Sequence, residues 1–528
     1  MRPARGGTSW TMLPIACGAM VLALAMPDLS AATPYDYIAV GDPLESELRV
    51  LDLLDSDALG GRIRLPHLFM RPVQPIELEG LGNPPESTDV VRRISLARIE
   101  RALGRDRAPL FAPHPLYVST PRLLEYGSEA QLLELSAGAE GRAEWNRHDR
   151  RLLSGSGLEG RVALGLDRLV AFSHYVIGRI DNAHIFADPI IPNNDVIALT
   201  EETYLSYTEE RGLWGAQFGR SRWHWGPGEE GSLVLSKTSA SLTGLAFRVH
   251  LSALRADAIA LSATLRPAAG EQLAAHRVEW QPADGLRIAV TEAARYRSQG
   301  WSPLYFMGAI PYVMVQRLLV QAEPDSLSAY RNNIITAFDA GWRVAEGTRL
   351  YGELLIDDLH VRSGKNPNKL AYQVGWEGVG SLGGSRLGWG GEFTRITRFV
   401  YTSWFGRDYQ SLGRPLGFPI APDMRHVRVR TTWDPGPDWQ LQLLATHTDK
   451  GENELDEPFI PHSPRVDAFK FEGVVETTRE IEARARWWPA SGVDLAIGGG
   501  YRWVENPSHV LGGKTQSPTA SIEVRLAR

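Results

Sequence analysis

The chain has 528 residues, a net charge of −6, 43% hydrophobic and 22% charged residues. That length allows two domains or one large barrel with an appendage. No internal run reaches the roughly 18 apolar residues of a membrane-crossing helix, and the charge balance gives no electrostatic basis for binding nucleic acid.

Residues 1–32 read as a secretory signal peptide. Arg2 and Arg5 open it, Met12 to Met26 is its apolar core, and Ser30-Ala31-Ala32 offers a small-residue cleavage site. Cys17, the only cysteine, lies inside this segment, so the exported chain is expected to lack disulfides. A closed barrel would supply stability through its hydrogen-bond ladder instead.

Residues 33–110 read as a helix-rich periplasmic segment. Asp42 suits an N-cap and Pro43 the first helical position. Leu44, Leu48, Leu51 and Leu54 then share one helical face. A second helix is expected from Ser87 or Thr88 to Leu103, with Leu96, Ile99 and Leu103 on one stripe and Gly104 as its stop. Pro66, Pro72 and Pro75 mark an irregular connector between the two.

Residues 111–528 read as strands of an outer-membrane β-barrel. Glu202, Tyr204 and Ser206 alternate with Thr203, Leu205 and Tyr207. His426, Arg428 and Arg430 alternate with Val427, Val429 and Thr431, and Glu482, Arg484 and Arg486 alternate with Ile481, Ala483 and Ala485. Charge on one face of strand after strand fits a polar lumen. A second device repeats: a Trp, a tight turn, then alternating strand residues. It reads Trp280 to Gly285, then Leu286, Ile288 and Val290. It recurs as Trp433 to Asp438 before Leu441 and Leu443, and as Trp487 to Gly492 before Val493, Leu495 and Ile497. Trp342 to Gly347, leading into Leu350, is a looser copy. Tight turns followed by period-2 patterning predict antiparallel hairpins, and a Trp at each strand end predicts an interfacial aromatic girdle. Turns near positions 283, 346, 382, 435 and 490 should share one rim. The long connections Tyr401 to Met424 and Thr446 to Lys470 should lie at the other. The fold class is thus an all-β transmembrane barrel of about 18 antiparallel strands, with a small N-terminal helical subdomain.

Several blocks resemble the Wzi family of outer-membrane capsule-assembly proteins. The first runs from Arg222 through Trp223-His224-Trp225-Gly226-Pro227-Gly228 to Ser236. Others are Leu350 to Asp358, Glu392-Phe393-Thr394-Arg395 with Tyr401, Tyr409, Pro415-Leu416-Gly417 and Pro422-Asp423, and Gly41-Asp42-Pro43 with its leucine helix. The resemblance implies an 18-stranded barrel with a periplasmic helical bundle, and a lectin-like role in holding capsular or related polysaccharide. The closing run Ser521 to Arg528 alternates correctly but lacks the terminal aromatic common in such barrels.

Candidate ligand-binding residues follow two chemistries. Trp223 and Trp225 could stack on sugar rings beside glycines that let the backbone approach. Arg395, Arg398, Arg407 and Arg414, interleaved with Tyr401, Trp404 and Tyr409, could hold an acidic polysaccharide by carboxylate contacts and stacking. Asp357, Asp358 and His360 look like a metal or acid–base cluster, but neighbouring aspartates on a strand face opposite ways. With no Gly-x-Ser-x-Gly elbow, zinc motif or phosphate loop, no catalytic residue, metal or cofactor is expected. The expected partners are capsular polysaccharide or exopolysaccharide, outer-membrane lipid and lipopolysaccharide, with no nucleic acid and a monomeric state. The alternative is a porin-like channel for small solutes, whose open lumen would be lined by Arg428, Arg430, Arg484 and Arg486.

Overall fold

The computed structural model describes residues 44–54, 70–71, 89–102, 124–128, 131–146, 151–166, 168–180, 196–209, 211–308, 310–322, 331–359, 366–460, 466–490 and 492–527. The expected signal peptide, Asp42, Pro43, the proline connector, Leu103, Gly104 and His360 lie outside these residues.

Eighteen antiparallel strands close into one barrel. The first six are β1 (Gln131–Asn146), β2 (Arg151–Leu166), β3 (Leu169–Ile180), β4 (Val196–Thr208), β5 (Trp214–Ser221) and β6 (Leu242–Leu251). Next come β7 (Ala256–Arg266), β8 (Glu271–Ala283), β9 (Leu286–Arg297), β10 (Asn333–Ala345), β11 (Thr348–Asp358) and β12 (Lys369–Leu382). The last are β13 (Ser385–Ile396), β14 (Met424–Gly436), β15 (Trp439–Lys450), β16 (Glu476–Ala490), β17 (Val493–Glu505) and β18 (Lys514–Ala527). Thr519 to Ala527 of β18 pair with Asn146 to Gly138 of β1 and seal the barrel. Leu124–Ser128 adds a short hairpin partner to the start of β1.

Every even-to-odd connection from β2 onward is therefore at one rim, and every odd-to-even connection at the other. The turns near 283, 346, 382, 435 and 490 all join an even strand to the next odd one, so they share a rim as their chemistry predicted. Short turns identify that rim as periplasmic. The outer connections carry the inserted structure.

Period-2 alternation sets the two wall faces. Leu441, Leu443, Ile481 and Ile497 are exposed on the outside, while Glu482 and Arg484 point inward and pair at 2.9 Å. Trp280, Trp342, Trp376, Trp433, Trp439 and Trp487 stand exposed near the periplasmic rim, and the Trp439 and Trp487 rings stack at 5.3 Å. An indole suits that layer because its ring is apolar and its N–H needs a polar neighbour.

Among the described residues, two helices sit under the periplasmic mouth, α1 (Leu44–Leu53) and α2 (Val90–Ala102). The leucine stripe packs as expected, with Leu48, Leu51 and Leu54 buried. The second helix starts later than the sequence suggests, because Asp89 caps it: its carboxylate accepts from the Val91 and Arg92 amides at 3.1 and 3.3 Å. The charged face of α1 docks on the barrel rim. Glu47 accepts from Arg386 of β13 and Arg98 of α2, and Asp52 from Arg287 of β9 and Arg349 of β11. Burial pushes the Glu47 carboxyl up, but the Arg386 and Arg98 guanidiniums outweigh it and hold it at about 2.

Candidate functional site

The connection from β5 to β6 does not project outward. Residues 222–241 fold into the lumen as a plug, anchored to α1, β14 and β11. Arg49 of α1 donates to the Pro227 carbonyl at 3.1 Å from below. Glu229 pairs with Arg428 and Arg430 of β14, each at 3.1 Å. Glu230 meets His426 at 2.7 Å, and the Leu233 amide donates to Glu353 of β11 at 3.0 Å. Burial pushes the Glu229 carboxyl up, yet Arg430 and Arg428 hold it well below the usual carboxylate range. The glycines are required here: a Cβ on Gly228 would lie 2.1 Å from the Gly231 carbonyl oxygen.

Trp223 and Trp225 belong to this plug. Both are buried, their rings meet edge to face at 6.2 Å, and they pack with Met70, Leu233 and Leu235 in the main core. Burial removes them from any sugar outside.

The outer connection from β13 to β14, residues 397–423, folds down onto the plug. Tyr401 donates its amide to Asp357 at 2.7 Å and its hydroxyl to the Leu233 carbonyl at 2.5 Å. Tyr409 donates its amide to the Tyr401 carbonyl at 2.6 Å, and its ring lies 5.7 Å from that of Tyr401. Arg395 donates to the carbonyls of Ile396, Met424 and Phe469, each at 2.8 Å. Tyr401, Tyr409 and Arg395 are therefore buried fasteners between this connection, the plug and the wall. Asp357 and Asp358 do point apart: Asp358 pairs with Lys369 at 2.7 Å.

Of the expected residues, Trp404 stands open at the outer face, while Arg407 in the same loop is only 9% exposed. Trp404 is 54% exposed, with the Arg331 guanidinium 5.8 Å from its ring. Arg407 donates to the Arg331 carbonyl and, at 3.0 Å, to the Asn332 side chain. Burial lowers the Arg407 pKa, and Arg297, Arg295 and Arg331 push it further the same way. Of these guanidiniums, Arg331 lies against the open indole, and Arg295 is paired with Glu271 at 2.6 Å. Arg414 stands apart, in a small hairpin of Gln410–Ser411 with Arg414–Pro415 near Arg222. Arg297 and Arg331 escaped the sequence reading, because they lie far from Trp404 in the chain and carry no local motif.

The lumen arginines are not free to line a channel. Arg428 and Arg430 are held by Glu229, Arg484 by Glu482, and Arg486 by Asp494 and Glu523 at 3.3 and 3.6 Å. A cavity of about 220 Å³ remains between α1, the plug and β12 to β16. Among the described residues no cluster suited to a metal ion is found.

Comparison with solved structures finds Wzi of Escherichia coli, described as an outer-membrane protein involved in group 1 capsule assembly and a carbohydrate-binding β-barrel. It aligns with a TM-score of 0.61 at 15% identity, over 94% of this chain and 99% of that one. Pseudomonas aeruginosa OprD aligns with a TM-score of 0.43 at 10% identity, over 75% and 94%. P. aeruginosa OpdK with vanillate gives 0.43 at 9%, over 76% and 98%. Comparison with curated protein sequences finds no match. The family model for capsule assembly protein Wzi matches residues 125–517, and with the plugged eighteen-stranded barrel this places the chain in the Wzi family of outer-membrane capsule-assembly proteins.

Proposed function

We propose that this barrel retains an acidic capsular polysaccharide or exopolysaccharide at its outer face and does not serve as a solute channel. The observation that carries the reading is the exposed Trp404 with the Arg331 guanidinium over its ring and the exposed Arg297 in the same charged cluster, above a lumen filled by residues 222–241. An indole gives a sugar ring a flat apolar surface. Guanidiniums beside it give uronate or pyruvate carboxylates bidentate partners, which matches the chemistry of an acidic glycan. Nothing in this arrangement requires turnover or a cofactor. The segment before β1, with α1 and α2, would act as a periplasmic stopper that a cleaved leader delivers to the envelope. A monomer would suffice, with the wall Trp residues seated at the level of the lipid and lipopolysaccharide headgroups.

The test is binding of purified protein to the source organism's own surface polysaccharide, at low and high salt. Binding that weakens with salt and is lost in Trp404→Ala with Arg331→Ala is the expected outcome. No binding at either salt, together with solute-permeable steps in planar bilayers, would sink the reading and promote the porin.

A further inference from the structure

Strand register places one outer connection on the lipid side of the wall. On β8, Arg277 and Glu279 point inward, as do Thr291 and Arg295 on β9. The alternate residues face out, and Val278, Trp280, Ile288 and Val290 are exposed there. His276 and Glu292 continue this outward row. They are register partners, 3.1 Å apart, and His276 lies two outward positions above the girdle residue Trp280. Ionisable groups turned toward acyl chains are costly unless something covers them.

The connection from β9 to β10 covers them. It carries α3 (Pro303–Phe306) and α4 (Tyr312–Ala322). The Tyr312 amide donates to Glu292 at 3.0 Å, and the Tyr312 ring lies 4.4 Å from the His276 ring. Tyr305 stacks on the outward Tyr296 at 4.5 Å. Trp301 donates to Thr264 of β7 at 3.2 Å and meets the outward Phe218 of β5 at 6.4 Å. The segment is thus laid over the outer wall from β5 to β9.

Tyr312 and Val315 on α4 are buried against that wall, with Leu319 packed beside them. Its opposite face presents Val313, Met314 and Leu318, all exposed, with Arg317 among them. A helix apolar on both faces is stable where both meet apolar surroundings. The exposed face also continues the apolar outer band that includes Val290 and Phe338.

We propose that α4 is a lipid-contacting helix seated in the outer leaflet, with Val313, Met314 and Leu318 taking lipid acyl chains. Arg317 extends along the helix to the anionic headgroup of the same lipid, its stem staying among the chains. The segment then has two jobs: it shields the His276–Glu292 pair from hydrocarbon and presents a lipid site of its own. This inference is independent of the polysaccharide reading.

The experiment uses Met314→Cys, in a chain whose native Cys17 is changed to Ser, labelled with an environment-sensitive fluorophore. The whole protein is reconstituted in vesicles of phosphatidylethanolamine and phosphatidylglycerol. Expected are blue-shifted emission, loss of fluorescence to nitroxides on the lipid acyl chains, and no loss to aqueous iodide. Leu412→Cys, on the outer loop, should behave oppositely. Quenching by iodide with none by acyl nitroxides overturns the proposal. So does a bismaleimide cross-link between two Met314→Cys copies that replaces the nitroxide response, since it would give the face to a second copy. If Met314→Cys fails to fold, Leu318→Cys reads the same face.

Discussion

The plug gives the sharpest prediction. Glu229→Ala removes the acid that neutralises Arg428 and Arg430, each 3.1 Å away, and its side chain is only 20% exposed. Breaking a buried ion pair costs about 3–5 kcal/mol because the surviving charge is left uncompensated. Partial exposure, and Glu230 and Glu392 nearby, put the cost at the low end, about 3 kcal/mol. The remaining anchors hold the plug in place at equilibrium: the Arg49–Pro227 and Leu233–Glu353 hydrogen bonds and the burial of Trp225, Leu233, Val234 and Leu235. Four such side chains alone contribute about 6–12 kcal/mol. The variant should therefore stay plugged but open transiently about 100-fold more often, at about 1.4 kcal/mol per tenfold. Limited trypsin digestion reads this directly, since cleavage tracks the open population when reclosing is fast. Nicking between Arg222 and Ser241 should accelerate about 100-fold, while nicking at Lys470 in another outer connection stays unchanged. Acceleration of less than about threefold at the plug would refute the view that this ion pair locks it.

Three further outcomes are expected. Arg386→Ala strips Glu47 and Asp434 of a shared partner and should weaken α1 docking by about 3 kcal/mol, read as faster amide exchange over Leu44–Leu53 with the barrel's heat-modifiable migration kept. The same docking should weaken progressively in acid: Glu47, held at about 2 against a usual 4.5, contributes fully above pH 4.5 and loses its contribution as pH falls from there through about 2, which exchange at stepped pH measures. Leu48→Asp, at a fully buried position, should release the helices and leave the barrel able to form; loss of heat-modifiable migration would show that the two fold as one unit.

The wall was legible in the sequence because its signals are local. A Trp, a Pro/Gly/Asp turn and an alternating run lie within about a dozen residues, and each is dictated by the rim or face it occupies. The lumen contents were not legible in the same way. The Glu229–Arg428 pair joins positions about two hundred residues apart, and only closure of the barrel brings them together. Trp223 and Trp225 read as sugar platforms because a Gly-Pro-Gly stretch has the composition of an exposed loop; the structure buries that loop inside a tube. The arginine–aromatic run from Arg395 to Arg414 was half informative. Alternation cannot say which members of an irregular segment turn inward, so Tyr401 and Tyr409 were indistinguishable from Trp404. The partners that complete the Trp404 patch, Arg297 and Arg331, come from another connection altogether.

The position of the plug in the chain constrains how the molecule is built. Residues 222–241 are synthesised ahead of β11 and β14, which carry the Glu353, Arg428 and Arg430 that hold them. Until those strands are in place, Glu229 and Glu230 have no cationic partner on the wall, and Trp225 has no finished core to enter. The wall itself closes last, when β18 zips onto β1. The insert is therefore made before its wall anchors and gains them only as the later strands of the sheet are added around it. Membrane insertion of this chain is then a wrapping process, in which the sheet closes around its own filling.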